Sequence, residues 1–136
     1  MIKSILFRIS YSKNINTTFE QAEIFVRDAL MEIGFGILTE ISIHDAFKEK
    51  LNIDYKKYKI LGACNPQLAH EALESESKIG ILMPCNVIIA DNEDGTIQIV
   101  FPKAESLLDI TENADISTLS KKADELLELA FNKITS

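Results

Sequence analysis

The sequence lacks the features that mark secreted and membrane-spanning proteins. Its first ten residues contain neither the apolar stretch nor the small-residue cleavage site of a secretory signal. No run approaches the roughly 18 apolar residues of a membrane span, and the richest stretch, 79–90, is interrupted by Gly80, Pro84 and Asn86. The chain has only two cysteines, which support a structural disulfide poorly because reducing compartments keep thiols free. These absences predict a cytoplasmic protein with no membrane partner.

Recognisable catalytic motifs are also missing. There is no glycine-rich phosphate loop, no Gly-x-Ser-x-Gly elbow, no His-Glu-x-x-His and no Cys-x-x-Cys pair. Acidic residues are in excess, since 14 Lys and Arg stand against 21 Asp and Glu, a formal net charge of −7. Nucleic acids and anionic membranes attract basic faces, so this balance argues against both as partners.

What the chain does contain is the composition of one globular domain. Its 136 residues are 46% apolar and 26% charged, close to the globular average. Folding at this length buries about two-thirds of the extended chain's surface, so neither a disulfide nor a metal is needed to hold the core together. We therefore predict a single domain over residues 1–136.

The spacing of apolar residues predicts five strands and two long helices. Strands are expected over 5–11, 35–43, 58–64, 79–90 and 96–101, and long helices over 19–33 and 119–134. We expect a turn at 12–14, a hairpin at Asp94-Gly95, and short helices ending at Leu51 and beginning after Asn65. Residues 102–115 give no clear prediction. The order predicts an α+β fold of the β-α-β(4)-α type, with a mostly antiparallel sheet covered on one face by the two long helices.

One short pattern occurs twice. Residues 60–65 and 81–86 both read Ile-Leu-x-x-Cys-Asn, with an offset of 21 residues that contains one short helix. That length is enough to reverse the chain, so we expect the two Cys-Asn pairs on neighbouring strands. Cysteines within about 7 Å between Cα atoms can form a reversible disulfide or hold a soft metal.

These segments carry a resemblance to a known family. Residues 34–41 read Gly-Phe-Gly-Ile-Leu-Thr-Glu-Ile, residues 60–66 read Ile-Leu-Gly-Ala-Cys-Asn-Pro, and residues 84–87 read Pro-Cys-Asn-Val. All three are similar to motifs of the domain-of-unknown-function family numbered 302, and the likeness covers roughly residues 1–102. It implies a fold similar to the TATA-box-binding-protein-like class, no DNA binding and no established activity. The chain departs from the family pattern at Ser42 and Asn52, where Asp and Gly are expected.

The candidate site lies where the three segments converge, over 34–40, 64–66 and 84–86. Its candidate ligand-binding residues are Thr39, Glu40, Cys64, Asn65, Cys85 and Asn86. Cys64 stands just before a helix start, where the helix dipole lowers a thiol's pKa, so it is the first candidate for nucleophile and the faster to alkylate. A simpler interpretation of Cys64 is a small buried residue that packs in the core. Asn65 is likewise explained by a role as the N-cap of the following helix. Glu40 is either a partly buried carboxylate with a raised pKa or an outward strand position.

Cys64, Cys85 and His70 together have ligand types that suit zinc or copper. Neither a Cys-x-x-Cys nor a His-x-x-x-His pair accompanies them, so a solvated or capping histidine is the simpler interpretation. No cofactor is indicated.

Three functions remain open on the sequence. The first is a small-ligand or soft-metal binding or sensing domain whose ligand is anionic or thiol-reactive. The second is a thiol enzyme with Cys64 as nucleophile and Cys85 as resolving thiol. The third is a dimerising scaffold in which the motifs serve turns and core. The face of the sheet away from the helices is expected to carry Leu38 and Leu61, and either loops or a second subunit would cover it.

Overall fold

The computed structural model describes residues 5–135, which form an α+β fold. The elements in chain order are α1 (Ile5–Arg8), β1 (Ser10–Asn16), α2 (Phe19–Glu32), β2 (Gly36–Ser42), α3 (Ile43–Leu51), β3 (Tyr58–Cys64), α4 (Pro66–Ser75), a 3₁₀ segment (Ser77–Leu82), β4 (Cys85–Asp91), β5 (Thr96–Pro102), α5 (Ala104–Leu108), a second 3₁₀ segment (Asp109–Thr111) and α6 (Ala114–Lys133). The five strands make one sheet in the order β1-β5-β4-β3-β2, and every neighbouring pair is antiparallel. The predicted fold class and sheet are therefore confirmed.

Side-chain caps and turn residues set the ends of these elements. The Oδ1 atom of Asn65 accepts the Leu68 N–H at 3.1 Å and starts α4, as the Asn-Pro pair predicts. Thr18 caps α2 in the same way by accepting the Gln21 N–H. Asn52 ends α3 in the left-handed region at φ 53, and Gly95 at φ 89 turns the β4–β5 hairpin.

The core lies between the sheet and the two long helices. It is formed by residues from both layers: Ile15, Phe19, Val26, Leu30, Phe35, Leu61, Val87, Ile89, Ile97, Ile99, Phe101, Leu127 and Ile134. The Phe131 ring of α6 packs edge-on against Tyr11 and Phe101, with ring centroids 4.6 and 5.3 Å apart. This arrangement, with two long helices on one face of an antiparallel sheet, confirms the prediction from the spacing of apolar residues. No helix within residues 5–135 is long and apolar enough to cross a membrane.

The predicted first strand is misplaced by several residues. Residues 5–8 form a helical turn with exposed apolar side chains, and β1 runs over Ser10–Asn16, so the turn expected at 12–14 lies inside a strand. The stretch 79–90 was expected to be extended throughout, whereas residues 79–82 are 3₁₀ and β4 begins only at Cys85. Short apolar runs fit a buried helical turn as well as a strand, which explains both errors.

A further error concerns the residues on the outer face of the sheet. The register of β2 against β3 shifts between Ile37 and Thr39, leaving Leu38 as an extra residue that is 66% exposed. Leu61 was expected on the outer face of the sheet, but it is fully buried on the helix side. The outer face instead carries a cross-strand row of Ile41, Ile60, Ile88 and Val100.

Candidate functional site

The three motif segments meet at one end of the sheet. In the β3–β4 ladder Ala63 pairs with Cys85 and Gly62 with Asn86, so the two Cys-Asn pairs lie on neighbouring strands as predicted. The β2–β3 ladder adds Thr39 opposite Gly62. Strand β3 thus lies between β2 and β4 and brings the three motif segments into contact.

Two glycines permit this close approach. A Cβ atom at Gly62 would collide with the Thr39 hydroxyl and would lie 2.6 Å from Cγ of Pro84. Gly34 adopts φ +82, and a Cβ there would meet the Asn65 side chain at 3.4 Å. Glycine is therefore required at position 62 by space and is favoured at position 34 by backbone conformation.

A small cavity of about 70 Å³ lies at this end of the sheet, beneath α4 and α6. Its walls combine the motif segments with both helices and α5: Phe35, Ala63, Cys64, Asn65, Leu68, Ala69, Ala72, Ile79, Met83, Pro84, Cys85, Ala104, Leu108, Ile116, Leu119, Ser120 and Ala123. The Ser120 hydroxyl already donates to the Ser117 carbonyl at 3.0 Å. The cavity is consequently an apolar space in which two thiols are the reactive groups.

Both cysteines are free thiols, and both are held in the neutral form. Burial raises the pKa of Cys85 to about 11, with further contributions from the charges of Asp124 and Cys64. Burial also raises the pKa of Cys64 above its ordinary value. The expectation that the N-terminus of α4 would lower the pKa of Cys64 is thus wrong, because burial disfavours the charged thiolate.

The remaining candidates lie outside the cavity or have structural partners. Glu40 bonds Lys59 at 2.6 Å and Arg27 at 2.9 Å, and the Lys59 hydrogen bond is the main cause that lowers the Glu40 pKa. The raised pKa considered for Glu40 is therefore wrong, and its carboxylate ties β2 and β3 to α2. Asn86 is exposed on β4 and Thr39 is exposed on β2, whereas Asn65 both caps α4 and lines the cavity.

The structure does not bring His70 to the cysteines. Its side chain is 76% exposed and its Nε2 lies 3.6 Å from Oε1 of Glu74, one turn along α4. Within residues 5–135 no group of three or more His, Cys, Asp or Glu side chains is placed to hold a metal ion. The sulfur-bearing side chains that line the cavity are those of Cys64, Cys85 and Met83.

Two polar residues near the cavity were not identified from the sequence. The Tyr11 hydroxyl is buried and has no hydrogen-bond partner among the described residues. Burial, followed by the charges of Asp124, Glu128 and Cys85, raises the Tyr11 pKa above its ordinary range, so these groups lie near one another. Asp124 accepts the backbone N–H groups of Ala104 at 2.6 Å and Glu105 at 3.0 Å. Neither residue belongs to a recognisable motif, and only the packing of β1 against α6 reveals them.

The protein is thus of the α+β class. Its five-stranded antiparallel sheet carries two long helices on one face and has a cavity lined by two thiols at its end. The family described as Domain of unknown function DUF302 matches residues 11–134, and the chain belongs to this family. The match extends past the 1–102 expected from the motifs. The fold is also similar to that in the crystal structure of the uncharacterized conserved protein DUF302 from Bacillus stearothermophilus, with a TM-score of 0.83 and 23% identity over 92% of this chain and 97% of that chain. No curated protein matches the chain.

Proposed function

We propose that this domain binds a small soft ligand, either a thiophilic metal ion or a thiol-reactive molecule of a few atoms, in the cavity beneath α4 and α6. The observation that carries the proposal is that both cysteines of the chain line this one cavity. They reach it from separate strands, each within its own Ile-Leu-x-x-Cys-Asn segment.

The size and polarity of the cavity limit the ligand. A volume of about 70 Å³ is less than half of the roughly 150 Å³ that holds benzene in an engineered protein cavity. An anion is disfavoured, because the walls are apolar and burying an unpaired charge is costly. The chain's net charge of −7 also repels anions. Of the two ligand types considered from the sequence, the thiol-reactive one is the better supported.

A thiol-dependent enzyme is less well supported. Such an enzyme needs a thiolate near neutral pH, whereas burial raises the pKa of both Cys64 and Cys85. The side chain of His70, the nearest histidine in sequence to Cys64, is 76% exposed and faces Glu74. A tightly bound soft ligand can displace the thiol proton once on binding, whereas catalysis needs a base beside Cys64, and His70 does not supply one.

Thermal unfolding with methylmercury tests the proposal, since this probe is small, soft and specific for thiols. Unfolded chains expose both thiols, so only a folded site that prefers the probe raises Tm. With one equivalent of probe per chain, we expect Tm to rise by roughly 5 °C for each tenfold preference of the folded site over an unfolded thiol, which corresponds to about 1.4 kcal/mol. An unchanged or lower Tm would contradict the proposal.

Two variants distinguish the cavity from general thiol reactivity. Ala72→Leu adds three carbon atoms to a buried cavity wall and should remove the rise in Tm, measured against the variant's own unliganded Tm. His70→Ala changes the exposed side of the same helix and should leave the rise intact. A rise that persists in Ala72→Leu would place the probe outside the cavity.

A further inference from the structure

We infer that the outer face of the sheet, which is the face away from the helices, binds the same face of a second copy of this chain in a reversible two-fold dimer. The cavity of the proposed function lies on the helix side of the sheet, beneath α4 and α6. The two sites are therefore separate, and each can be tested without the other.

The centre of the outer face is apolar. Cross-strand pairing aligns four branched apolar residues from four strands in one row, which we call the central row: Ile41, Ile60, Ile88 and Val100. Ile41 is 47% exposed and the other three are partly exposed. The solvent side of a one-sided antiparallel sheet is ordinarily polar, so an aligned apolar row at this position indicates a contact surface.

Uncharged residues flank the central row on both sides. The flanking row toward one end of the strands contains Thr39, Gly62 and Asn86. The flanking row toward the other end contains Tyr58, Ala90, Gln98 and Asn14. An apolar centre with hydroxyl and amide groups around it is the arrangement found in protein interfaces, where the polar rim stays in contact with water.

The neutrality of this face favours a second copy as the occupant. None of the residues in the central row and its two flanking rows is charged, although 26% of the chain is. Each copy has a formal net charge of −7, so two copies repel each other through their acidic surfaces and can meet most easily at a neutral one. A two-fold axis that lies between the sheets places central row against central row and rim against rim.

The face is large enough for a specific but weak contact. Five strands of seven residues, about 4.8 Å apart and with a rise of about 3.3 Å per residue, give a face of about 550 Å². Two copies bury about 1,100 Å² in total, just above the roughly 1,000 Å² of a specific interface. Interfaces of this size are at the weak end of the range, so we expect a dissociation constant in the micromolar range.

Sedimentation velocity of the reduced full-length chain, from micromolar to millimolar concentration, tests the inference. We expect a monomer at the lowest concentration and a dimer at the highest. Ile60→Lys places a charge in the central row and should weaken association by at least about 100-fold. Leu129→Lys introduces the same side chain at a 56% exposed position of α6, in the helix layer, and should associate as the wild type does. Circular dichroism establishes that each variant is folded.

Salt dependence identifies the kind of interface. Because the two acidic copies repel each other outside an uncharged contact, added NaCl should screen the repulsion and lower the dissociation constant severalfold. A dimer held by ion pairs between lysine and acidic side chains would weaken in salt, and that result would overturn the inference.

Methyl NMR spectra of the wild type keep the test independent of the variants. Dilution should shift the methyl resonances of Ile60 and Ile88 and leave those of Leu127, in the core on the helix side, unchanged. If Ile60→Lys does not fold, these shifts decide the question. A monomer at every concentration would overturn the inference, as would association that Leu129→Lys abolishes and Ile60→Lys leaves intact.

Discussion

The neutral Cys85 thiol makes the folded protein vulnerable to alkaline pH in a way that can be calculated. Its pKa is about 11 in the folded state against an ordinary 9.0. The folded state therefore keeps its proton where the unfolded chain has lost it. Burial of the Cys85 thiol costs no stability below pH 9, where both states are protonated. Stability is lost as the pH rises from 9 through the folded pKa, because only the unfolded chain ionises freely. A shift of about two units corresponds to a loss of about 3 kcal/mol between pH 9 and 11.

Urea denaturation from pH 6 to 11 measures this loss when wild type is compared with Cys85→Ala. Cys64, Tyr11 and Lys13 also titrate in alkali with perturbed pKa values, and the comparison with Cys85→Ala removes the part of the pH dependence that does not involve Cys85. We expect the unfolding free energy of the wild type, minus that of Cys85→Ala, to be constant up to pH 8 and then to fall by about 3 kcal/mol as the pH reaches 11. A difference that stays flat to pH 11 would refute the burial of Cys85 in an apolar cavity.

Three further predictions concern the surroundings of the site. Tyr11→Phe removes a buried hydroxyl without a partner and should raise the unfolding free energy of the ligand-free protein by about 1 kcal/mol, measured by urea denaturation; a loss of stability would show that the hydroxyl is satisfied. Gly62→Ala should cost about 1–3 kcal/mol because its Cβ collides with Thr39 and Pro84. Gly36→Ala, whose Cβ meets nothing within 4 Å, should cost under about 1 kcal/mol, and equal costs would contradict the close packing of the motif segments. The apolar row on the outer face of the sheet should cause reversible self-association that Ile60→Lys abolishes, and a wild type that sediments as a monomer at high concentration would count against it.

Most of the fold could be predicted from the sequence because its signals are local. The N-caps at Thr18 and Asn65, the apolar stripes of α2 and α6, and the Asp-Gly hairpin each depend on residues within one element. The errors arose where a local pattern has two solutions. Ile5–Arg8 alternates like a strand but forms a helical turn, and the bulge at Leu38 changes the face that β2 presents.

The site could be predicted only in part, for a physical reason. The repeated Ile-Leu-x-x-Cys-Asn pattern locates both thiols on neighbouring strands, since the offset of 21 residues is long enough for the chain to reverse and return alongside. The sequence does not show how deeply each thiol is buried, so the direction of the Cys64 pKa shift was wrong. Tyr11 and Asp124 come to this region from β1 and α6, and such long-range packing leaves no local pattern.

Anomalous diffraction from crystals grown with one equivalent of methylmercury tests the central claim most directly. The account predicts one mercury peak inside the cavity beneath α4 and α6, within bonding distance of the sulfur of Cys64 or Cys85. The same peak should vanish in Ala72→Leu, where an added side chain fills the space. A mercury atom bound at the protein surface, with the cavity empty, would contradict the assignment of this cavity as the ligand site.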